Sequence, residues 1–196
     1  MNLLDEPWLP VRDAGNHRHW IAPAALGDPA WIAFDADRAD FNGALTQFAI
    51  GLLQTAAPVK NAAQWRGWFR QPPDATTLDD WFAPLRPAFE FDGNGARFMQ
   101  DRTLASNEGA CNDIGALLIE APGEQTLKNN ADHFIKRGQI TALCPTCAAT
   151  ALLSGCGVDP APKDLQRLSK WFWVHYDDAS DEELADGFIK LNAATS

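Results

Sequence analysis

Apolar residues near the start of the chain are grouped and then interrupted by a polar turn. The segment from Leu3 to Val11 is apolar but contains two prolines, which predicts a short edge strand. Trp20 and Ile21 follow the turn at 13–16 and are typical of the second strand of a hairpin. The chain is therefore expected to begin with β-structure.

The apolar spacing becomes helical after Asp40, and it predicts a buried helix that ends at Pro58. Two shorter amphipathic helices follow, separated by a breaker at 71–74, and their aromatic side chains are expected to lie in the core. The periodic positions of the three helices are Phe41, Leu45, Phe48, Ala49, Leu52 and Leu53, then Trp65, Trp68 and Phe69, then Leu78, Trp81, Phe82 and Leu85.

The middle of the chain has weaker patterns. Residues 89–99 alternate around a glycine-rich turn at 92–95, which predicts paired strand residues. Residues 114–119 are compatible with one helical turn or with a short strand. Neither pattern by itself defines a long element.

The last third predicts helices. The run from Cys147 to Leu153 lies behind Pro145 and predicts a helix that ends at 154–157. After a proline-rich linker, residues 163–196 have the pattern of an amphipathic helical hairpin. The predicted fold class is α+β, with one domain at 1–158 that contains short β-hairpins and several helices, and with a linker and helical tail at 159–196.

Composition and charge narrow the class of protein. With 196 residues and 46% hydrophobic content, the chain can bury the core of one domain. Without a run of eighteen apolar residues or the features of a signal peptide, it is expected to be soluble and cytoplasmic and to have no membrane partner. The net charge of -10 argues against nucleic-acid binding over the whole surface, so any such contact is expected to be local.

A cationic segment between 122 and 147 interrupts this acidic chain. It offers cations for phosphates, amides for base edges or 2′-hydroxyls, and one phenylalanine ring for stacking. A polar surface loop anchored by one Phe is the alternative interpretation of the same pattern. The candidate contacts with nucleic acid are Lys128, Asn129, Asn130, His133, Phe134, Lys136 and Arg137.

Cys144 and Cys147 have the spacing that lets two thiolates bind one tetrahedral Zn²⁺ ion. Two further ligands are needed, and the candidates are Cys111, His133, Cys156 and His175. Free structural thiols and a redox pair remain as alternatives, although the residues before Cys144 lack the strand that a thioredoxin-like setting requires.

The sequence does not favour an enzyme. Motifs for phosphate binding, zinc proteolysis, serine hydrolysis and dinucleotide binding are all missing from the sequence. The carboxylates between 177 and 186 form a charge run, which is typical of a solvated face rather than of a two-metal nuclease site. A metal-dependent enzyme remains only a remote alternative.

Four segments, taken in order, resemble CasA, the large subunit of the type I-E CRISPR surveillance complex known as Cascade. They are residues 2–11, 98–100, 126–138 and 143–152, and the resemblance extends over about 1–158. It implies a non-catalytic subunit that sits at the 5′ end of the crRNA, helps to find the protospacer-adjacent motif (PAM) in target double-stranded DNA, and assists duplex opening. The implied partners are crRNA, target DNA, the backbone, 5′-handle and small subunits, and a recruited nuclease.

The resemblance also assigns residues. Phe134, Lys136 and Arg137 match a segment that reaches toward the crRNA 5′ handle and neighbouring subunits. Cys144 and Cys147 match half of a zinc site whose other half lies further along in longer relatives, which leaves Cys156 as an additional metal candidate. Gly155 and Gly157 resemble the remains of a glycine-rich loop that approaches the PAM duplex, where glycine permits close backbone contact.

The chain is expected to depart from the family after Val158. Compared with CasA proteins, it is expected to lack the later cysteine pair, the PAM-reading lysine, the hairpin wedge and the C-terminal bundle, which favours anchoring on crRNA over PAM reading. An alternative that uses only the residues is a protein-only scaffold or regulatory subunit, consistent with the acidic balance and the many aromatic residues.

Overall fold

A small antiparallel sheet and five α-helices make up the part of the chain that the structure, a computed structural model, describes. The described residues are 1–92, 97–99, 114–118, 120–132 and 140–158. The fold is α+β, as predicted. The predicted helical hairpin at 163–196 lies outside the described residues, and no helix within them is long and apolar enough to cross a membrane.

The sheet has the strand order β2-β1-β3, so the first strand lies in its centre. Strand β1 is Leu9–Asp13, β2 is Arg18–Ile21 and β3 is Trp31–Phe34. The predicted hairpin of the first two strands is confirmed, with Leu9 opposite Ile21. The prediction of an edge strand is wrong, because β3 pairs with the other side of β1 and places Phe34 opposite Val11.

Pro10 is tolerated in this central strand because of where its missing N–H would point. In an antiparallel strand, the N–H and C=O groups of one residue face the same neighbour. The carbonyl of Pro10 accepts a hydrogen bond from the backbone N–H of Asp35 at 2.9 Å, and Asp35 lies just past the end of β3. The proline nitrogen therefore faces Asp35, beyond the end of β3, so the missing N–H falls at the end of the ladder.

The helices follow the predicted periodicity, and two of them begin at residues with strong N-cap side chains. The side chain of Asn61 accepts hydrogen bonds from the N–H groups of Ala63 and Gln64, and that of Asp74 accepts one from Thr77. The helices are α1 (Ala39–Ala56), α2 (Ala62–Arg70), α3 (Ala75–Phe82), α4 (Glu124–Lys128) and α5 (Pro145–Val158), with 3₁₀ turns at Pro23–Gly27, Ala83–Ala88 and Ile114–Leu117.

One hydrophobic core joins the sheet to α1, α3 and α5. Phe48 of α1 lies near its centre, with its ring 6.1 Å from that of Phe89 and 6.2 Å from that of Phe98. The buried members of this core are Leu3, Leu4, Trp8, Leu9, Val11, Ile21, Leu45, Phe48, Leu52, Leu78, Phe82, Leu85, Ala88, Phe89, Phe98 and Ala149.

The N-terminal residues close the domain against the segment after α3. The N–H of Leu3 donates to the carbonyl of Phe89 at 2.9 Å, and Asn2 forms an isolated antiparallel bridge with Glu90. Phe98 also donates its N–H to the carbonyl of Glu90, at 2.7 Å. Residues 89–91 thus contact the chain start as well as Phe98, and the predicted glycine-rich turn that would join the two arms lies largely outside the described residues.

Two further expectations are corrected. The aromatic residues of α2 are not in the core: Phe69 is 90% exposed and Trp65 is 40% exposed, because no other described element covers that side of the helix. Helix α5 does not end at Ser154 but continues through Val158, so Gly155 and Gly157 lie in helix rather than in a loop. Two glycines weaken a helix by about 2 kcal/mol, and tertiary packing of the buried residues Ala149, Ala151 and Ser154 stabilises the same helix.

Candidate nucleic-acid interface and cysteine pair

The described part of the cationic segment is the C-terminal end of α4. Lys128, Asn129 and Asn130 are all exposed there. Asn130 has a left-handed backbone with φ of 49°, and its N–H donates to Leu127 O at 3.1 Å. The next N–H, of Ala131, donates back to Thr126 O at 3.0 Å.

These two hydrogen bonds form a Schellman motif, in which the left-handed residue follows the helix and lets two orphan carbonyls be satisfied. Asn130 therefore has a structural reason to be asparagine, because asparagine tolerates the left-handed region better than most residues. The backbone of Asn130 is part of the motif that ends the helix, while its side chain lies on the surface with that of Lys128. Gln125 Nε2 donates to the side chain of Asn129 at 3.1 Å.

The rest of the predicted interface falls partly outside the described residues. His133, Phe134, Lys136 and Arg137 lie in 133–139, which the structure does not describe. The structure therefore brings Lys128, Asn129 and Asn130 together at one helix end and does not test their predicted neighbours.

Cys144 and Cys147 lie together at the start of α5. The backbone N–H of Cys147 donates to Cys144 Sγ at 3.3 Å, which is the N-cap contact expected where a helix begins with Pro145. Cys144 is exposed and Cys147 is half-buried. The helix start thus presents one accessible thiol backed by a second, less accessible one.

The two thiols have opposite acidities. The thiol hydrogen bond from Cys147, assisted by the backbone N–H of the same residue, lowers the pKa of Cys144. The same thiol contact, burial and the nearby charges of Cys144 and Asp37 raise the pKa of Cys147 to about 11. Cys144 is therefore the thiol that ionises first.

A tetrahedral zinc site needs four ligands, and these two sulfurs supply half of that set. Within the described ranges, no group of three His, Cys, Asp or Glu side chains is arranged to hold a metal ion. The side chain of Cys156, and the whole of Cys111, His133 and His175, lie outside the described part of the chain. The sulfur pair fits one half of a zinc site, and the other half is not tested.

A second hydrophobic cluster and an ion-pair network hold this region against α1. Leu143, just before the cysteines, packs on the cluster of Phe41, Leu118 and Ala151. Arg38, at the N-cap of α1, forms a two-pronged ion pair with Glu120, with distances of 2.9 and 2.6 Å. Such bidentate pairs fix geometry as well as charge.

Sequence analysis missed a charge cluster on the sheet. Arg12 and Arg18 are cross-strand partners whose like charges would repel, but both donate to the carboxylate of Asp35. These contacts, that of Arg12 first, lower the pKa of Asp35 to about 2. The hairpin register alone places the two arginines opposite each other. The sequence therefore contains a signal for the arginine pair, though not for the carboxylate that joins it.

These observations define an α+β domain with local cationic and thiol features on an acidic chain. A family model described as "CRISPR-associated protein Cse1 (CRISPR_cse1)" matches residues 2–179, and this chain belongs to the Cse1 family, for which CasA is another name. The match continues past Val158, so the expectation that the chain leaves the family at that residue is wrong. No curated protein matches the chain.

Two solved Cse1 structures share the fold. The crystal structure of Cse1 from Acidimicrobium ferrooxidans aligns with a TM-score of 0.57 and 23% identity over 79% of this chain and 28% of that one. The crystal structure of Thermobifida fusca Cse1 aligns with a TM-score of 0.63 and 16% identity over 79% of this chain and 29% of that one. This chain therefore spans less than a third of the length of these relatives.

Proposed function

We propose that this chain is a non-catalytic subunit of a type I-E CRISPR surveillance complex, docking at the crRNA 5′ end and supporting PAM-proximal binding of target DNA. The observation that carries the proposal is the family match over residues 2–179. Because the chain spans less than a third of the solved relatives, the proposed role is that of their matching portion, not of the whole protein.

The basic segment is the proposed contact with nucleic acid. It begins at the exposed end of α4, at Lys128, and continues toward α5 through Phe134, Lys136 and Arg137. Three cations close to one ring in the sequence suit a short length of RNA, because phosphates bind cations and an unstacked base stacks on a ring. The rest of the chain is acidic, so we expect a modest salt dependence that these few phosphate contacts account for.

The glycine pair supports the proposal less than the basic segment does. In a helix, the N–H and C=O groups of Gly155 and Gly157 are directed along the helix axis rather than toward a duplex. The proposed DNA contact through these glycines would therefore require the end of α5 to unwind. Binding through 128–137 requires no such change in α4.

Zinc is proposed as a structural ion held in part by Cys144 and Cys147. When bound, it would join the start of α5 to another ligand pair, and the two thiols would bind it as thiolates. Cys156 is the nearest candidate in sequence, but it lies nine residues beyond Cys147 in α5, about 13 Å along the helix axis, so it could bind the same ion only if the end of α5 unwound. The role of these residues is to hold the α5 start in place, not to perform chemistry.

The test is co-purification of the full chain with the other Cascade subunits and crRNA. The variant is Phe134→Ala/Lys136→Glu/Arg137→Glu, and the readouts are assembly with crRNA and affinity for target duplex. We expect the wild-type chain to join the complex and the triple variant to lose at least tenfold in target affinity.

A matched control carries the same kinds of substitution in the tail, namely Phe172→Ala/Lys163→Glu/Arg167→Glu. An equal loss in this control would show that the effect follows total charge and not the basic segment. If the basic-segment variant assembles and binds target as well as wild type, the protein-only scaffold is the better account. The net charge of -10 is the observation that favours that second candidate, because phosphate contacts need cations.

A further inference from the structure

Helix α2 has an unusual surface for an element of a folded domain. From Ala62 to Arg70 every residue is exposed except Trp68, which is half-buried. Trp68 anchors the helix, because its ring lies 4.7 Å from that of Trp81 in α3. Trp65 packs edge to face on Trp68, with ring centroids 5.5 Å apart, and remains partly exposed, while Phe69 is the ring most open to a ligand.

Those side chains form two adjacent stripes. Trp65 and Phe69 are four residues apart and lie on one face, and Phe69 is 90% exposed. Arg66 and Arg70 are also four residues apart and form the neighbouring stripe, and both are exposed. A row of rings therefore lies beside a row of guanidinium groups.

The cations of this helix differ from the other arginines. Arg12, Arg18, Arg38 and Arg86 each form an ion pair with a carboxylate. Across the described ranges, no carboxylate lies within ion-pair distance of Lys60, Arg66 or Arg70. The sequence from Lys60 to Gln71 contains no acidic residue at all, although the chain has a net charge of -10.

From these observations we infer that α2 is a binding surface for single-stranded nucleic acid, separate from the basic segment at 128–137. Bases stack on Trp65 and Phe69, and phosphates bind Arg66, Arg70 and Lys60. Rings and arginines also occur in protein interfaces, but three cations that pair with no carboxylate of the described residues, on an acidic chain, favour a polyanion over a protein partner. Duplex is also disfavoured, since its bases are already stacked.

The test uses the full wild-type chain and a fluorescein-labelled oligothymidylate, with binding followed by fluorescence anisotropy over a range of salt concentrations. We expect the single strand to bind more tightly than its duplex with oligoadenylate. Phe69→Ala should weaken binding by about fivefold or more, because one base can no longer stack. Arg66→Gln/Arg70→Gln should reduce the slope of log K against log salt by about 1.4, or roughly 0.7 for each phosphate that the variant no longer neutralises.

Two controls make the result specific. Ile32→Ala removes another exposed apolar side chain, 63% exposed on β3, and should leave binding unchanged. Lys128→Gln tests whether the oligonucleotide binds at the basic segment instead. The inference is overturned if Phe69→Ala binds as tightly as Ile32→Ala, or if the arginine variant keeps its salt slope.

The inference goes beyond the proposed function, and the experiments can reject either one without rejecting the other. If Phe69→Ala binds the oligonucleotide normally but no longer captures Cascade subunits, α2 is a protein interface and the inference is wrong. If the chain never joins a crRNA complex but Phe69→Ala still weakens oligonucleotide binding, the proposed function fails and the α2 surface stands.

Discussion

The ring of Phe48 meets the indole of Trp8 edge to face, with centroids 5.2 Å apart and an interplanar angle of 68°. This contact joins α1 to the segment that leads into the central strand. The indole N–H of Trp8 donates to Leu3 O at 2.6 Å, so the only polar group of this side chain is satisfied inside the core. The pair therefore stabilises the junction between helix and sheet without a buried unpaired donor.

Truncation of Phe48 should be among the most destabilising changes in the domain. Phe48→Ala would leave a cavity bordered by three other aromatic rings, and we expect it to lower the free energy of unfolding by about 3–5 kcal/mol. Chemical denaturation followed by tryptophan fluorescence measures the change. Ile50→Ala, on the exposed side of the same helix, should change it by about 0.5 kcal/mol or less. Similar losses in the two variants would mean that Phe48 is not a core residue.

The Asp35 cluster predicts a pH dependence of stability. The folded-state pKa of Asp35 is lowered from 3.8 to about 2, so the ionised carboxylate stabilises the fold above pH 4 and this contribution is lost as the pH falls toward 2. Asp35→Asn should therefore be less stable than wild type at pH 7, and the difference should shrink between pH 4 and pH 2. Urea unfolding at a series of pH values measures it.

The matched control is Asp80→Asn, which removes an exposed carboxylate of α3 and should have little effect at pH 7. A stability difference between Asp35→Asn and wild type that is constant down to pH 2 would contradict the assigned role of Arg12 and Arg18.

Asn130 allows its structural role to be separated from its proposed contact role. Asn130→Gly keeps the left-handed backbone and removes the amide, so it should preserve stability and reduce crRNA affinity. Asn130→Val disfavours φ of 49° and should cost about 1–2 kcal/mol through the helix end. Circular dichroism and crRNA binding measure the two effects. If Asn130→Gly binds crRNA as tightly as wild type, Asn130 has only its structural role at the end of α4.

The cysteine pair predicts an order of reaction. In the metal-free chain at neutral pH, Cys144 should be alkylated by iodoacetamide faster than Cys147, because the pKa of Cys144 is lowered and that of Cys147 is raised to about 11. Peptide mass spectrometry separates the two sites. Cys144→Ser should speed the reaction of Cys147, since it removes the main cause of the raised pKa. Zinc ions should protect both thiols if the pair is half of a zinc site.

Helical periodicity predicts much of the fold correctly. The α1 helix is predicted with its end at Pro58, because a long regular spacing of apolar residues has few other interpretations. Strand β3 is missed, since its four residues, from Trp31 to Phe34, are all apolar and show no alternation. The aromatic face of α2 is wrongly assigned to the core because periodicity identifies an apolar face but not what covers it.

Only part of the candidate site can be predicted from the sequence, for a similar reason. Spacing identifies Cys144 and Cys147, because both thiols lie within one turn of one helix. It does not identify the Arg12, Arg18 and Asp35 cluster in full, because the carboxylate arrives from a third strand whose pairing no local pattern specifies. Contacts between distant segments depend on tertiary packing, which local spacing does not encode.

The hydrophobic core that contains Leu3 also contains Ala149. During synthesis, Leu3 therefore leaves the ribosome well before Ala149, and the packing of Leu3 is complete only after Ala149 has followed. At about 5–20 residues per second, that interval is roughly 8–30 s. Throughout it, the apolar side of α1 that packs on α5 in the finished domain is without that partner, so the domain completes its core late in its own synthesis.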